Sequence, residues 1–121
     1  MIGVGVDLVE IERFRIALDR TPSMRTRLFR PEELDYVDTK SDPVPSLAAR
    51  FASREATMKA LGVGLGAFGF HDVWVDRAPS GAPVLMVSGA AADLAERSGV
   101  SVWHLSISHD SAMAIATVIA E

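Results

Sequence analysis

Five alanines fall between Leu47 and Leu61, in a segment that Ser46 can cap and Gly62 can stop. This predicted helix constrains the chain more than any other stretch. At about 100° per residue it separates into two faces. Arg50, Ser53, Arg54 and Thr57 form a polar face. Leu47, Phe51, Met58 and the alanines form a wide face of apolar and small residues. Glu55 and Lys59 fall inside that second face. They are four apart with the acid first, so they can touch. An exposed pair of this kind contributes about 0.3–0.5 kcal/mol, and it would ordinarily sit on the polar face. Burying it is costly unless partners or a ligand compensate. The placement therefore favours a site over an ordinary surface salt bridge. Arg50 and Arg54 are also four apart; they repel weakly on a solvated face and become useful against an anion such as a phosphate.

Asp7 is a second charge in apolar surroundings. It lies in a predicted strand from Ile2 to Val9, where aspartate is disfavoured. Alternation turns Val4, Val6 and Leu8 to one face and Gly3, Gly5, Asp7 and Val9 to the other. The glycines are expected to leave open space beside Asp7. Alone, Asp7 reads equally well as a group satisfying nearby backbone donors. With Glu55 it makes a pair of carboxylates from separate elements, with a lysine beside one and arginines nearby. Such a set can hold magnesium and a polyphosphate, because magnesium commonly takes one or two carboxylates and completes its shell with phosphate oxygens and water.

The rest of the chain reads as one α+β domain over residues 1–121. A helix from Glu10 to about Arg20 carries Ile11, Phe14 and Leu18 as its apolar stripe. Thr21-Pro22-Ser23 breaks it, and Pro31 opens a short helix. Residues 38–46 read as a loop. Strands follow over 71–77 and 83–88, a helix over 90–97, and strands over 102–108 and 113–119, giving a largely antiparallel sheet. In the penultimate strand Val102, His104, Ser106 and Ser108 share one face, and a half-wet sheet explains them best. His109 at the following turn is a candidate proton shuttle. Gly64, Gly66 and Gly69 spell G-x-G-x-x-G, but they follow a helix and lead to a strand, which excludes the dinucleotide-binding turn.

Net charge is −4, which argues against a general nucleic-acid binder. Six arginines between positions 13 and 30 are opposed only by Asp19, a local charge of +5. That stretch suits either a solvated face or a docking patch for an acidic partner. No cysteine is present, which removes thiolate chemistry and is compatible with a cytoplasmic protein. The start lacks the pattern of a secretory signal, and no apolar run is long enough to span a bilayer.

Three segments together resemble a known family. They are Gly3-Val4-Gly5-Val6-Asp7-Leu8-Val9-Glu10-Ile11, the run from Arg50 through Glu55 and Lys59 to Gly62, and His104-Leu105-Ser106-Ile107-Ser108-His109. The family is holo-(acyl carrier protein) synthase, the small bacterial type of phosphopantetheinyl transferase. The resemblance implies a pseudo-ferredoxin-like α+β fold and a homotrimer with active sites between subunits. It also implies magnesium, coenzyme A and apo-acyl carrier protein as reactants, with no nucleic acid or membrane. On this basis Asp7 and Glu55 are the metal-binding acids and Lys59 the catalytic lysine. His109 is a further catalytic candidate. Arg50 and Arg54, with Gly62, Gly64 and Gly66, are candidates for binding coenzyme A. Arg13 and Arg20 are candidates for docking the carrier. Arg54 stands where the family usually has lysine, which keeps the charge and alters the geometry of any phosphate contact. Two rival readings use the same residues: a magnesium-dependent hydrolase of coenzyme A or nucleotide pyrophosphates, and a non-catalytic coenzyme A-binding protein.

Overall fold

The structure, a computed structural model, describes residues 1–121. The chain runs β1 (Gly3–Glu10), α1 (Ile11–Arg20), α2 (Met24–Leu28), α3 (Pro31–Val37), α4 (Val44–Leu61), a 3₁₀ turn (Phe70–Asp72), β2 (Val73–Arg77), β3 (Pro83–Val87), α5 (Gly89–Arg97), β4 (Trp103–His109) and β5 (Met113–Ala120). The strands form an antiparallel sheet in the order β1-β5-β4 and a separate antiparallel pair, β2-β3. The α+β expectation holds. One helix and several boundaries differ. The basic stretch after Pro22 contains a helical turn, α2, that no apolar period announced. The 3₁₀ turn takes residues 70–72, so β2 starts at Val73. Helix α4 begins at Val44 rather than after Ser46, because Pro45 falls in its first turn, where a missing N–H costs nothing. Ser46 is therefore inside the helix and buried. Gly62 ends α4 as expected, with φ 69°, a conformation that favours glycine.

Helix α4 lies across the three-stranded sheet and is buried on nearly every side. The space over the two glycines is not open: a Cβ on Gly3 would fall 1.9 Å from the Ala60 carbonyl oxygen, and one on Gly5 1.9 Å from that of Ala56. Glycine on β1 and alanine on α4 bring two backbones together. The apolar and small face of α4 is buried as expected, but the polar face does not reach solvent. Ser53, Arg54, Thr57 and Arg50, read as the polar face, are all buried. Ser53 and Thr57 satisfy their hydroxyls on carbonyls one turn back, 2.8 and 2.7 Å away. The stripe that reaches solvent is Phe51, Glu55 and Lys59.

On the sheet, Ala114, Ala116, Val118 and Ala120 point to α4 and are buried. The opposite face carries no layer. Val4, Val6 and Leu8 there are 53%, 45% and 58% exposed, beside half-buried Ile115 and Ile119.

Candidate active site

Asp7 projects from β1 on the α4 side of the sheet, and α4 supplies the other two charges. The Lys59 ammonium donates to the Val6 carbonyl at 2.9 Å and to Asp7 Oδ1 at 3.1 Å. Lys59 therefore pairs with Asp7, not with Glu55 as helix spacing alone suggested. Glu55 holds its proton above the usual carboxylate range. Its partial burial is the main cause and the Asp7 charge the second, with Lys59 opposing. The Asp7 charge thus disfavours the ionised form of Glu55, and a dication between the two carboxylates would relieve that. They line a cleft of about 480 Å³ with Glu10 and Arg13, whose apolar wall includes Phe14, Met24 and Phe51. No group of three or more metal-ligating side chains exists, so any bound cation must take further ligands from water or substrate. Magnesium with a polyphosphate fits that condition.

A second cleft, of about 310 Å³, is basic. Arg50, Lys40, Arg77 and His109 line it around Tyr36. The Arg77, Arg50 and Lys40 charges lie 4.7, 5.1 and 5.3 Å from the Tyr36 ring centre. None of the three forms an ion pair, although the chain is acidic overall. Arg50 is 4% exposed and its Nε has no partner. Burial draws its pKa down, against the charge of Glu33. One buried and two exposed cations, none of them ion-paired, around one cavity suit a multiply charged anion. Tyr36, Lys40 and Arg77 went unnoticed in the sequence because no periodic pattern joins them.

The two clefts lie on opposite flanks of α4. Arg50 and Glu55 are about 140° apart around the helix axis, and Arg50 and Lys59 about 180°. On the sheet, Asp7 is on one edge strand and His109 on the other, with β5 between them. Within one chain His109 is consequently not beside the carboxylates, a correction to placing it with them.

Arg54 is a second correction. It lies in neither cleft; its guanidinium is buried against Glu33, with Nε on the Phe70 carbonyl. It is closed to a phosphate. Gly62, Gly64 and Gly66 line neither cleft, and the space around each is open. Of the basic stretch, Arg15 pairs with Glu12 and Asp42, Arg25 with Asp38 and Arg30 with Glu32. Arg13 and Arg20 stay free and line a further groove along α1.

The model of the 4′-phosphopantetheinyl transferase superfamily matches residues 3–118, and the chain belongs to that superfamily. Within it, the chain falls among the holo-(acyl-carrier-protein) synthases. The protein of that name from Beutenbergia cavernae is 47% identical over all of this chain and 98% of its own. The one from Streptomyces griseus is 49% identical, over all of this chain and 98% of its own. The crystal structure of the Neisseria meningitidis synthase superposes with a TM-score of 0.90 at 32% identity, covering 100% of this chain and 98% of that one. The Bacillus anthracis synthase, in complex with CoA (3′,5′-ADP), gives 0.79 at 31% identity, covering 97% and 93%. No helix is long and apolar enough to cross a membrane.

Proposed function

We propose that this chain moves 4′-phosphopantetheine from coenzyme A to a serine hydroxyl of apo-acyl carrier protein and releases adenosine 3′,5′-bisphosphate. The observation that carries this reading is the pair of carboxylates, Asp7 and Glu55, lining one cleft, with the Lys59 ammonium bonded to Asp7. Asp7 and Glu55 are the residues that would hold magnesium. A bound magnesium ion supplies neutralising charge to the pyrophosphate, where phosphoryl transfer depends most on positioning and electrostatics. Glu55, with its raised proton affinity, accepts the proton of the carrier serine as the serine oxygen bonds to the β-phosphorus. The bond from that phosphorus to the bridging oxygen breaks, and the leaving bisphosphate takes the electron pair. Lys59, tethered at Asp7, is within reach of the charge that develops there. Arg13 and Arg20 flank the approach to the cleft and suit an acidic carrier.

The basic cleft suits the nucleotide end of coenzyme A, with Arg50 and His109 among its contacts. Its position on the far flank of α4 supports a site completed between subunits. The basic half of one chain then faces the carboxylate half of the next. The uncovered face of the sheet, where Val4, Val6 and Leu8 of β1 lie beside Ile115 and Ile119 of β5, supports the same assembly, a homotrimer, since monomers rarely leave such a patch in water. The test is intact-mass analysis of apo-carrier incubated with this chain, coenzyme A and magnesium. The carrier should gain the mass of one phosphopantetheine. Absence of that gain across several carriers rejects the proposal. Breakdown of coenzyme A without any carrier identifies a hydrolase instead.

A further inference from the structure

Glu33 is a fully buried carboxylate that the reaction above does not use. Its Oε1 accepts from Arg54 Nη2 and from the Arg30 backbone N–H. Its Oε2 accepts from Arg54 Nη1 and from the Val75 backbone N–H. Arg54 in turn donates Nε to the Phe70 carbonyl and Nη1 to the Arg50 carbonyl. One ion pair therefore joins the start of α3, the middle of α4, the 3₁₀ turn and β2. Three of these elements carry the basic cleft. Tyr36 is one turn beyond Glu33 on α3, Arg50 one turn before Arg54 on α4, and Arg77 two residues beyond Val75 on β2.

Arg50, Arg77 and Lys40 repel one another around Tyr36, and no surface carboxylate pairs with them. Left to themselves, such groups spread apart. A site for a polyanion needs them converged before the anion arrives, or part of the binding energy is spent on gathering them. We infer that Glu33 is a positioning residue for the basic cleft, acting through Arg54 to hold α3, α4 and β2 at the spacing that converges Tyr36, Arg50 and Arg77 on one phosphate-bearing ligand. The inference rests on the reading that this cleft receives the nucleotide end of coenzyme A.

The sign of one measurement tests it. Adenosine 3′,5′-bisphosphate is titrated into the full chain by calorimetry, with KM for coenzyme A and for the carrier measured alongside. Glu33→Gln keeps the side chain's size and one acceptor oxygen. Positioning predicts binding weaker by roughly tenfold and a matching rise in KM for coenzyme A, because small misplacements are expensive in a converged site. KM for the carrier should stay within about twofold. Charge alone predicts the opposite, since losing a buried carboxylate makes the cleft more positive and tightens an anion. A purely structural role lowers the melting temperature and leaves binding by the folded protein unchanged.

The double variant Glu33→Gln with Arg54→Gln removes one charge of each sign and leaves no buried ion unpaired, so it decides the matter if the single variant does not fold. Positioning again predicts weaker binding. Unchanged or tighter binding in either folded Glu33 variant overturns the inference. Arg50→Ala is the control for the underlying reading. If Arg50→Ala leaves coenzyme A binding intact, the assignment of the cleft fails. If it weakens binding while Glu33→Gln does not, the inference about Glu33 fails alone.

Discussion

Glu55 has the most to reveal about the reaction, because its environment works against its charge. Burial first, and the nearby Asp7 second, raise its pKa. The folded chain thus binds this proton more tightly than the unfolded chain does. The stability linked to it is full below the unfolded pKa and is lost as pH rises through the raised folded one. Glu55→Gln, which cannot ionise, should therefore melt higher than wild type at neutral pH. The gap should close as pH falls toward the ordinary carboxylate range. A thermal melt series against pH reads this directly; equal melting temperatures throughout would mean that Glu55 is not strained. The same substitution should lower the transfer rate by about 10²–10⁴-fold if Glu55 takes the serine proton. Wild-type activity should fall on acidification through the raised pKa. Asp7 and Glu55 were legible in the sequence because each is a charge where the local pattern calls for an apolar residue. Arg54 was misread for a related reason. A cation on a polar stripe looks solvated, and nothing in the spacing of α4 points to Glu33, which is 21 residues away in sequence.

At the scale of elements, helix periodicity placed the alanine-rich face of α4 correctly in the interior and misassigned the polar stripe, which is buried too. Period reports which side chains share a face, not which face other elements will cover. Here α3, β2 and the 3₁₀ turn cover the polar stripe, so Arg50, Ser53, Arg54 and Thr57 are internal. The close seat of α4 on β1 escaped the sequence reading too, although its cause was visible as Gly3, Gly5, Ala56 and Ala60. That seat brings Lys59 to Asp7. Gly5→Ala would place a Cβ 1.9 Å from the Ala56 carbonyl oxygen and 2.8 Å from the Ala60 nitrogen. Both are backbone atoms of α4, so the helix must move away from the strand. The variant should lose about 1–3 kcal/mol in urea denaturation, the usual cost of overpacking. It should also lose more activity than stability, because Asp7 and Lys59 separate as α4 moves. A variant with wild-type stability would show that the contact has slack.

For the whole molecule, the alternation of β1 foretold two faces but not that the outer one lacks a covering layer. That follows from the sheet having only α4 and its neighbours to pack against, all on one side. Val4 is exposed on the bare face of edge strand β1, and Val4→Glu should leave the chain at its single-chain mass of 13.0 kDa in native mass spectrometry, where the proposed assembly predicts a trimer for wild type. The stronger test asks whether two subunits share each site. Asp7→Asn disables the carboxylate half and leaves the basic half intact; Arg50→Ala does the reverse. Each variant alone should be nearly inactive. Co-expressed in equal amounts, they assemble at random around a ring whose interfaces all join one carboxylate half to one basic half. A site is fully wild type when its carboxylate half comes from an Arg50→Ala chain and its basic half from an Asp7→Asn chain. That pairing occurs at about a quarter of the interfaces. The mixture should therefore recover about a quarter of wild-type transfer activity. If both halves act within one chain, every site keeps a lesion and mixing restores nothing. The opposite flanks of α4 on which the two clefts lie favour the first outcome, since within one chain that helix separates the cleft of Arg50 from the cleft of Asp7.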